Sequence, residues 1–137
     1  MQGAVNGGRV LILDDERMVA DTLALVFQMN RYEVKTAYSA EEAIETIAGW
    51  SPDLALIDVV LPGMNGLTFA QVIQDNHPGC QVLLFSGSQS TTGLLEEAAR
   101  HGRIFDILPK PLHPVHVLER VKTLLGDRPG GRRAPRA

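Results

Sequence analysis

The chain reads as a single α/β domain, a flavodoxin-like doubly wound sheet of five parallel strands in the order 2-1-3-4-5, with five helices. Two observations predict it. Short apolar runs of strand length alternate with segments whose apolar residues recur at helical spacing. The units follow one another as βαβαβαβαβα, and right-handed crossovers leave that strand order as the natural topology.

Each element has its own signal. The first strand is the run Arg9–Leu13, followed by a helix with Val19, Leu23, Val26 and Phe27 on one face. A weaker strand spans Glu33–Ala37. Ser39, with Glu42 three residues on, forms a capping box before Ala43, Ile44 and Ile47. The third strand is Asp53–Ile57, and the third helix carries Leu67, Ala70 and Ile73 and stops at Pro78 and Gly79. The fourth strand, Gln81–Phe85, leads to a helix marked by Leu94, Leu95, Ala98 and Ala99 and ended by Gly102. The fifth strand is Ile104–Leu108. The last helix opens on Pro114, continues through Val117, Leu118, Val121, Leu124 and Leu125, and ends at Gly126. Runs one, three, four and five are expected to be buried on both faces, as in a parallel sheet.

Composition sets limits. The 137 residues are 45% hydrophobic and 21% charged, the balance of a chain that packs a core. One cysteine, Cys80, excludes an internal disulfide and fits a reducing cytoplasm; it is expected to be an inert core thiol. The first residues lack a basic start followed by an apolar run, and no stretch reaches the length of a membrane span. Of the net charge of −3, the last twelve residues contribute +3, from Arg128, Arg132, Arg133 and Arg136 against Asp127. The remaining body carries −6, which does not suit a phosphate-backbone binder. The expected organisation is a flexible start at 1–8, a folded domain at 9–125 and a disordered Gly/Pro/Arg-rich tail at 126–137.

The chemistry collects just after the strands. Asp14-Asp15-Glu16 follow the first, Asp58 the third, Ser86-Gly87-Ser88 the fourth and Lys110-Pro111 the fifth. In a parallel sheet these share one edge, the edge where such folds bind ligands. Singly, each has a plainer explanation: acidic pairs complement helix starts, serines sit in loops and lysines on surfaces. Together they crowd carboxylates that need a cation, for which Mg²⁺ with oxygen ligands is the simplest answer. A carboxylate beside Mg²⁺ and a lysine can attack phosphorus and form an aspartyl phosphate. His113 and His116 flank a helix start and are too few for a zinc site. Trp50 is expected to pack at a helix end. The LPGMNG run lacks the spacing of a phosphate-cradling loop.

The segments VLILDDE at 10–16, DLALIDVVLPGMNG at 53–66, VLLFSG at 82–87 and ILPKP at 107–111 resemble the receiver domains of two-component response regulators over about residues 9–125. The resemblance implies that Asp58 is the phosphoacceptor. It implies that Asp15, Asp58 and the Val60 backbone carbonyl are Mg²⁺ ligands, with Asp14 acting indirectly. It makes Ser86 the switch hydroxyl and Lys110 the lysine that pairs with the phosphoryl group, and it implies a cis Lys110–Pro111 bond. The chain departs from the pattern at Ile107, where receivers usually carry Tyr or Phe. Phe105, two residues earlier, lies on the same strand face and is a candidate substitute. Val60, two residues after Asp58, cannot guide a hydrolytic water.

The implied activity is Mg²⁺-dependent acceptance of a phosphoryl group from a partner histidine kinase or phosphotransfer protein, with no turnover of a separate substrate. Output is expected through protein contacts on the face of the fourth helix, fifth strand and fifth helix, or through a homodimer, without specific DNA binding or membrane association. A phosphorylation-independent interaction module on the same scaffold is the alternative. A dehalogenase-type phosphatase would want D-x-D after the first strand, where this chain has LDDE. A flavodoxin would not place three acids beside a flavin phosphate.

Overall fold

The computed structural model describes residues 7–87, 91–102 and 105–126. Ten elements alternate: β1 Gly8–Leu13, α1 Arg17–Met29, β2 Tyr32–Ala37, α2 Ala40–Ala48, β3 Leu54–Asp58, α3 Gly66–Asn76, β4 Gln81–Ser86, α4 Thr91–Arg100, β5 Asp106–Pro109 and α5 Pro114–Leu125. The strands form one sheet in the order β2-β1-β3-β4-β5, and every pairing is parallel. The predicted fold and strand order are those observed. Residues 1–6, the tail from 127, Ser88 and Ile104 lie outside the described residues, as does the Leu94 side chain.

Side-chain alternation along the strands builds two cores. Val10, Ile12, Leu54, Leu56, Leu83 and Phe85 face α1 and α5, where Leu23, Phe27, Val117 and Val121 complete the layer. Leu11, Leu13, Ala55, Ile57, Val82 and Leu84 face α2, α3 and Ala98 of α4. Phe27, Phe69 and Phe85 are fully buried, each contributing about 2–3 kcal/mol of apolar transfer. β1, β3 and β4 are therefore apolar throughout because helices cover both faces.

The fifth strand corrects one expectation. The run Ile104–Leu108 reads as buried, yet β5 starts at Asp106 and contains no buried residue. It pairs only with β4, so one side of the strand has no ladder neighbour and helical cover is partial. Ile107 and Leu108 are half-buried, on opposite faces. Phe105 precedes the strand rather than lying in it, but packs on the same core as Ile107.

Smaller differences have local causes. In α1, Ala20 and Ala24 share the buried face with Leu23 and Phe27, leaving Val19 and Val26 at its margin. In α2, Ile44 is exposed, because the buried stripe runs through Ala40, Ala43 and Ile47. The capping box is offset. Ser39 Oγ accepts the Glu42 N–H at 3.1 Å, but Glu42 Oε1 accepts from Tyr38 N–H at 2.8 Å rather than from the cap residue itself. Pro114 is at the first turn of α5 as expected, and Gly126 caps it at φ 77°. Trp50 is buried beyond α2, its Nε1 donating to Glu33 Oε2 at 2.9 Å. That bond, with Arg9 beside it, holds the Glu33 carboxyl below its ordinary pKa. Cys80 is buried.

Candidate functional site

Four strand ends bring the predicted residues to the carboxyl edge of the sheet. Asp14 directly follows β1, and its N–H donates to Ala37 O at the end of β2, fixing the backbone. Asp58 is the last residue of β3 and Ser86 the last of β4. Lys110 follows β5, its N–H donating to Ser86 O at 3.1 Å, and the Lys110–Pro111 peptide is cis.

The side chains converge. Asp14, Asp15 and Asp58 each place a carboxylate oxygen within 4.8 Å of the other two, a cluster able to hold a metal ion. Asp58 is buried. Its Oδ1 accepts the Val60 N–H at 3.0 Å and its Oδ2 accepts Lys110 Nζ at 2.9 Å. The first contact also sets the Val60 backbone beside the carboxylate, while the Val60 side chain is exposed. Asp15 is exposed at the rim, and Ser86 is buried beside Lys110 in the chain path. The residues that the sequence singles out are thus gathered by the fold. His113 and His116 contact each other edge-on at the start of α5 and are not members of this cluster.

Electrostatics separates the groups. Asp14 is wholly buried: Oδ1 accepts the Glu16 N–H at 2.9 Å, but Oδ2 has no hydrogen-bond partner among the described residues. Burial pushes its pKa from 3.8 to about 6, and the charge of Asp58 adds to the rise despite the Glu16 bond and nearby Lys110. Lys110 is half-buried, which works against its charge. The ion pair with Asp58 and the charges of Asp14 and Glu16 outweigh this and hold the ammonium above its ordinary pKa. Its Nζ also lies 3.8 Å from Glu16 Oε1.

A partnerless buried carboxylate oxygen facing two further carboxylates is an unfavourable arrangement unless a cation completes it. The donor set is all oxygen, which suits a hard divalent ion such as Mg²⁺. The residues present therefore fit the metal that the sequence implies.

Gly66 and Gly87 lie in the matched sequence segments, but their roles emerge only from packing. A Cβ on Gly66 would collide with the Asp58 carbonyl oxygen, so only glycine lets the start of α3 close against the end of β3. Gly66 N–H donates to Val59 O at 2.8 Å, and Asn65 caps the helix by accepting the Thr68 N–H. The signal was the Asn-Gly pair after an apolar strand, a cap followed by the smallest residue. Gly87 is the second: a Cβ there would approach Lys110 Cβ to 3.2 Å.

A family model described as the response regulator receiver domain matches residues 10–122. The regulatory protein VanR of Enterococcus faecium is 36% identical over 121 residues, covering 85% of this chain and 49% of that protein. The response regulator MprA of Mycobacterium ulcerans is 30% identical over 117 residues, covering 85% and 50%. The chain thus spans about half the length of these curated relatives. Among solved structures, a CheY-like response regulator receiver domain protein from Methanospirillum hungatei superposes with a TM-score of 0.75 at 27% identity, covering 86% of this chain and 93% of that one.

Proposed function

The chain belongs to the response regulator receiver domain family, and from that premise we propose that it accepts a phosphoryl group on Asp58 from a partner histidine kinase or phosphotransfer protein. The observation that carries the reading is the pairing of a buried Asp58 carboxylate with Lys110 at 2.9 Å, inside a cluster of three carboxylates. Asp58 offers an oxygen nucleophile at the end of β3, where β1 and β4 on either side hold it still. Lys110 exchanges its contact with Oδ2 for one with a transferred phosphoryl oxygen, so the ammonium stays paired throughout. Ser86 donates its hydroxyl proton to another of those oxygens.

Asp15, Asp58 and the Val60 carbonyl would hold Mg²⁺ directly and Asp14 indirectly; when bound, the ion supplies positive charge to the phosphoryl oxygens. No separate substrate is turned over. Output runs through protein contacts on the α4-β5-α5 face. The same reading places the protein in the cytoplasm. Among the described residues, no helix is long and apolar enough to cross a membrane.

Intact mass after incubation with acetyl phosphate tests the reading. One added phosphoryl group, dependent on Mg²⁺, supports it. An unchanged mass at millimolar Mg²⁺ would leave the phosphorylation-independent interaction module as the better account.

A further inference from the structure

Beside the acidic cluster, a cleft of about 480 Å³ is lined by Glu16, Val19, Gly87, Lys110, Pro111 and Leu112. Lys110 joins it to Asp58: one ammonium touches the Asp58 carboxylate at 2.9 Å and lies 3.8 Å from the Glu16 carboxylate. The walls are unlike each other. Val19, Pro111 and Leu112 are apolar, and Glu16 supplies the anion at the rim, its side chain mostly exposed. Its side chain caps nothing at the start of α1 among the described residues, and its backbone is held by Asp14. Glu16 is therefore not required to begin the helix.

We infer that Glu16 is a specificity-determining residue: it favours phosphodonors whose leaving group is an imidazole over those whose leaving group is a carboxylate. This rests on the phosphoacceptor reading of Asp58. A phosphoryl donor beside Lys110 has its leaving group in this cleft. With a phosphoimidazole protonated on its second ring nitrogen, Asp58 oxygen bonds to phosphorus and the P–N bond breaks. The bond's electron pair stays on the first nitrogen, and a neutral imidazole departs with its proton on the second. Apolar walls suit the planar ring, and the Glu16 carboxylate accepts the N–H and attracts the ring's positive charge before transfer. With acetyl phosphate the P–O bond breaks and its electron pair leaves on acetate, so a full negative charge develops against Glu16. Both donors carry the same phosphoryl dianion, so general repulsion by the acidic site cancels when their rates are compared.

The test uses the full chain with phosphoimidazole and acetyl phosphate at saturating Mg²⁺, following phosphorylation by intact mass. The ratio of the two second-order rate constants is compared in the wild type, Glu16→Gln and Glu16→Lys. Glu16→Gln should lower the phosphoimidazole preference about four-fold, the effect of one unit charge about 5 Å away at the dielectric of water. Glu16→Lys should lower it further, and added salt should shrink both differences. Rates that change by the same factor for both donors would overturn the inference while leaving Asp58 as acceptor. Labelling of the wild type by neither donor would overturn the acceptor reading and the inference with it.

Discussion

β3 and β5 are strands of the same parallel sheet, and each ends next to one partner of the Asp58–Lys110 pair, yet they are built differently. β3 lies between β1 and β4 and every one of its residues is buried. β5 is an edge strand of four residues, none of them buried. Its neighbour α4 is equally thin in cover: of its described side chains only Ala98 is buried, and Leu95 is half-buried. The carboxylate of the pair thus stands on a strand buried along its whole length, and the ammonium follows a strand with no buried residue. On the proposed reading, the acceptor sits on the fully covered strand and its counter-ion beside the exposed edge.

The largest expected effect probes the β3 side. Gly66→Ala places a methyl against the Asp58 backbone carbonyl, with the Ile57 side chain also in contact, so the clash is with backbone that cannot easily give way. Overpacking of this kind should cost about 3 kcal/mol or more. On the β5 side, Gly102 at φ 80° follows α4, with nothing within 4 Å of the place an added methyl would occupy. Gly102→Ala should therefore cost only the left-handed backbone penalty of about 1 kcal/mol. Equal losses in urea unfolding would erase the contrast between the two regions.

Next comes the buried Asp14. Its carboxyl, at about 6 in the folded protein against 3.8 in the free side chain, binds its proton more tightly when folded. Ionised Asp14 therefore destabilises the metal-free fold in full above pH 6. The cost fades as pH falls and vanishes below about 4, where both states are protonated. Asp14→Asn should stabilise the metal-free protein at pH 7 by about 2–3 kcal/mol. It should also flatten the rise in stability on acidification from pH 6 to 4. Mg²⁺ should stabilise the wild type more than this variant, because binding to the folded state alone adds to stability. A destabilised Asp14→Asn protein at neutral pH would mean that the carboxylate is already well compensated.

Asp15 has a smaller expected effect because it is exposed. Asp15→Ala should weaken Mg²⁺ binding about ten-fold by removing one of few protein ligands, with little change in stability. Unchanged affinity in a metal titration would place the ion elsewhere.

The smallest effect concerns the β5 edge. Ile107 is stiff at its first torsion and has no hydroxyl to exchange between partners. With beryllofluoride as a phosphoryl mimic, backbone chemical shifts should change more at Ser86 and Gly87 than at Ile107. A large ring reorientation at Phe105, which packs on the same core, would relocate the missing aromatic. Shifts at Ile107 as large as those at Ser86 would show that the identity of that side chain hardly matters.

Most of this was legible in the sequence, for a physical reason. Buried parallel strands must be apolar throughout, so Arg9–Leu13, Asp53–Ile57 and Gln81–Phe85 announce β1, β3 and β4 to within a residue. The polar residues that interrupt them then mark the sheet's carboxyl edge, which is how Asp14, Asp58, Ser86 and Lys110 could be placed together. The edge strand was less legible. Ile104–Leu108 is as apolar as the central runs, and although the predicted order already puts it at the edge, composition does not reveal that none of the β5 residues is buried. Nor does a pattern of residue types reveal distances: the partnerless Asp14 Oδ2, the contact that makes Gly66 obligatory and the reach of Lys110 to Glu16 are products of packing. Arg31, at φ 72° in the turn before β2, is a further case, since nothing in its side chain favours that conformation.

Locating the phosphoryl group decides whether the buried β3 carboxylate is the acceptor and its acidic neighbours are not. Protein phosphorylated with acetyl phosphate and Mg²⁺ is reduced with borohydride, which converts an aspartyl phosphate to homoserine, and its peptides are sequenced by mass spectrometry. Conversion is expected at Asp58 alone, and none in Asp58→Asn. Conversion at Asp14 or Asp15 in the wild type, or undiminished labelling of Asp58→Asn, would contradict this assignment.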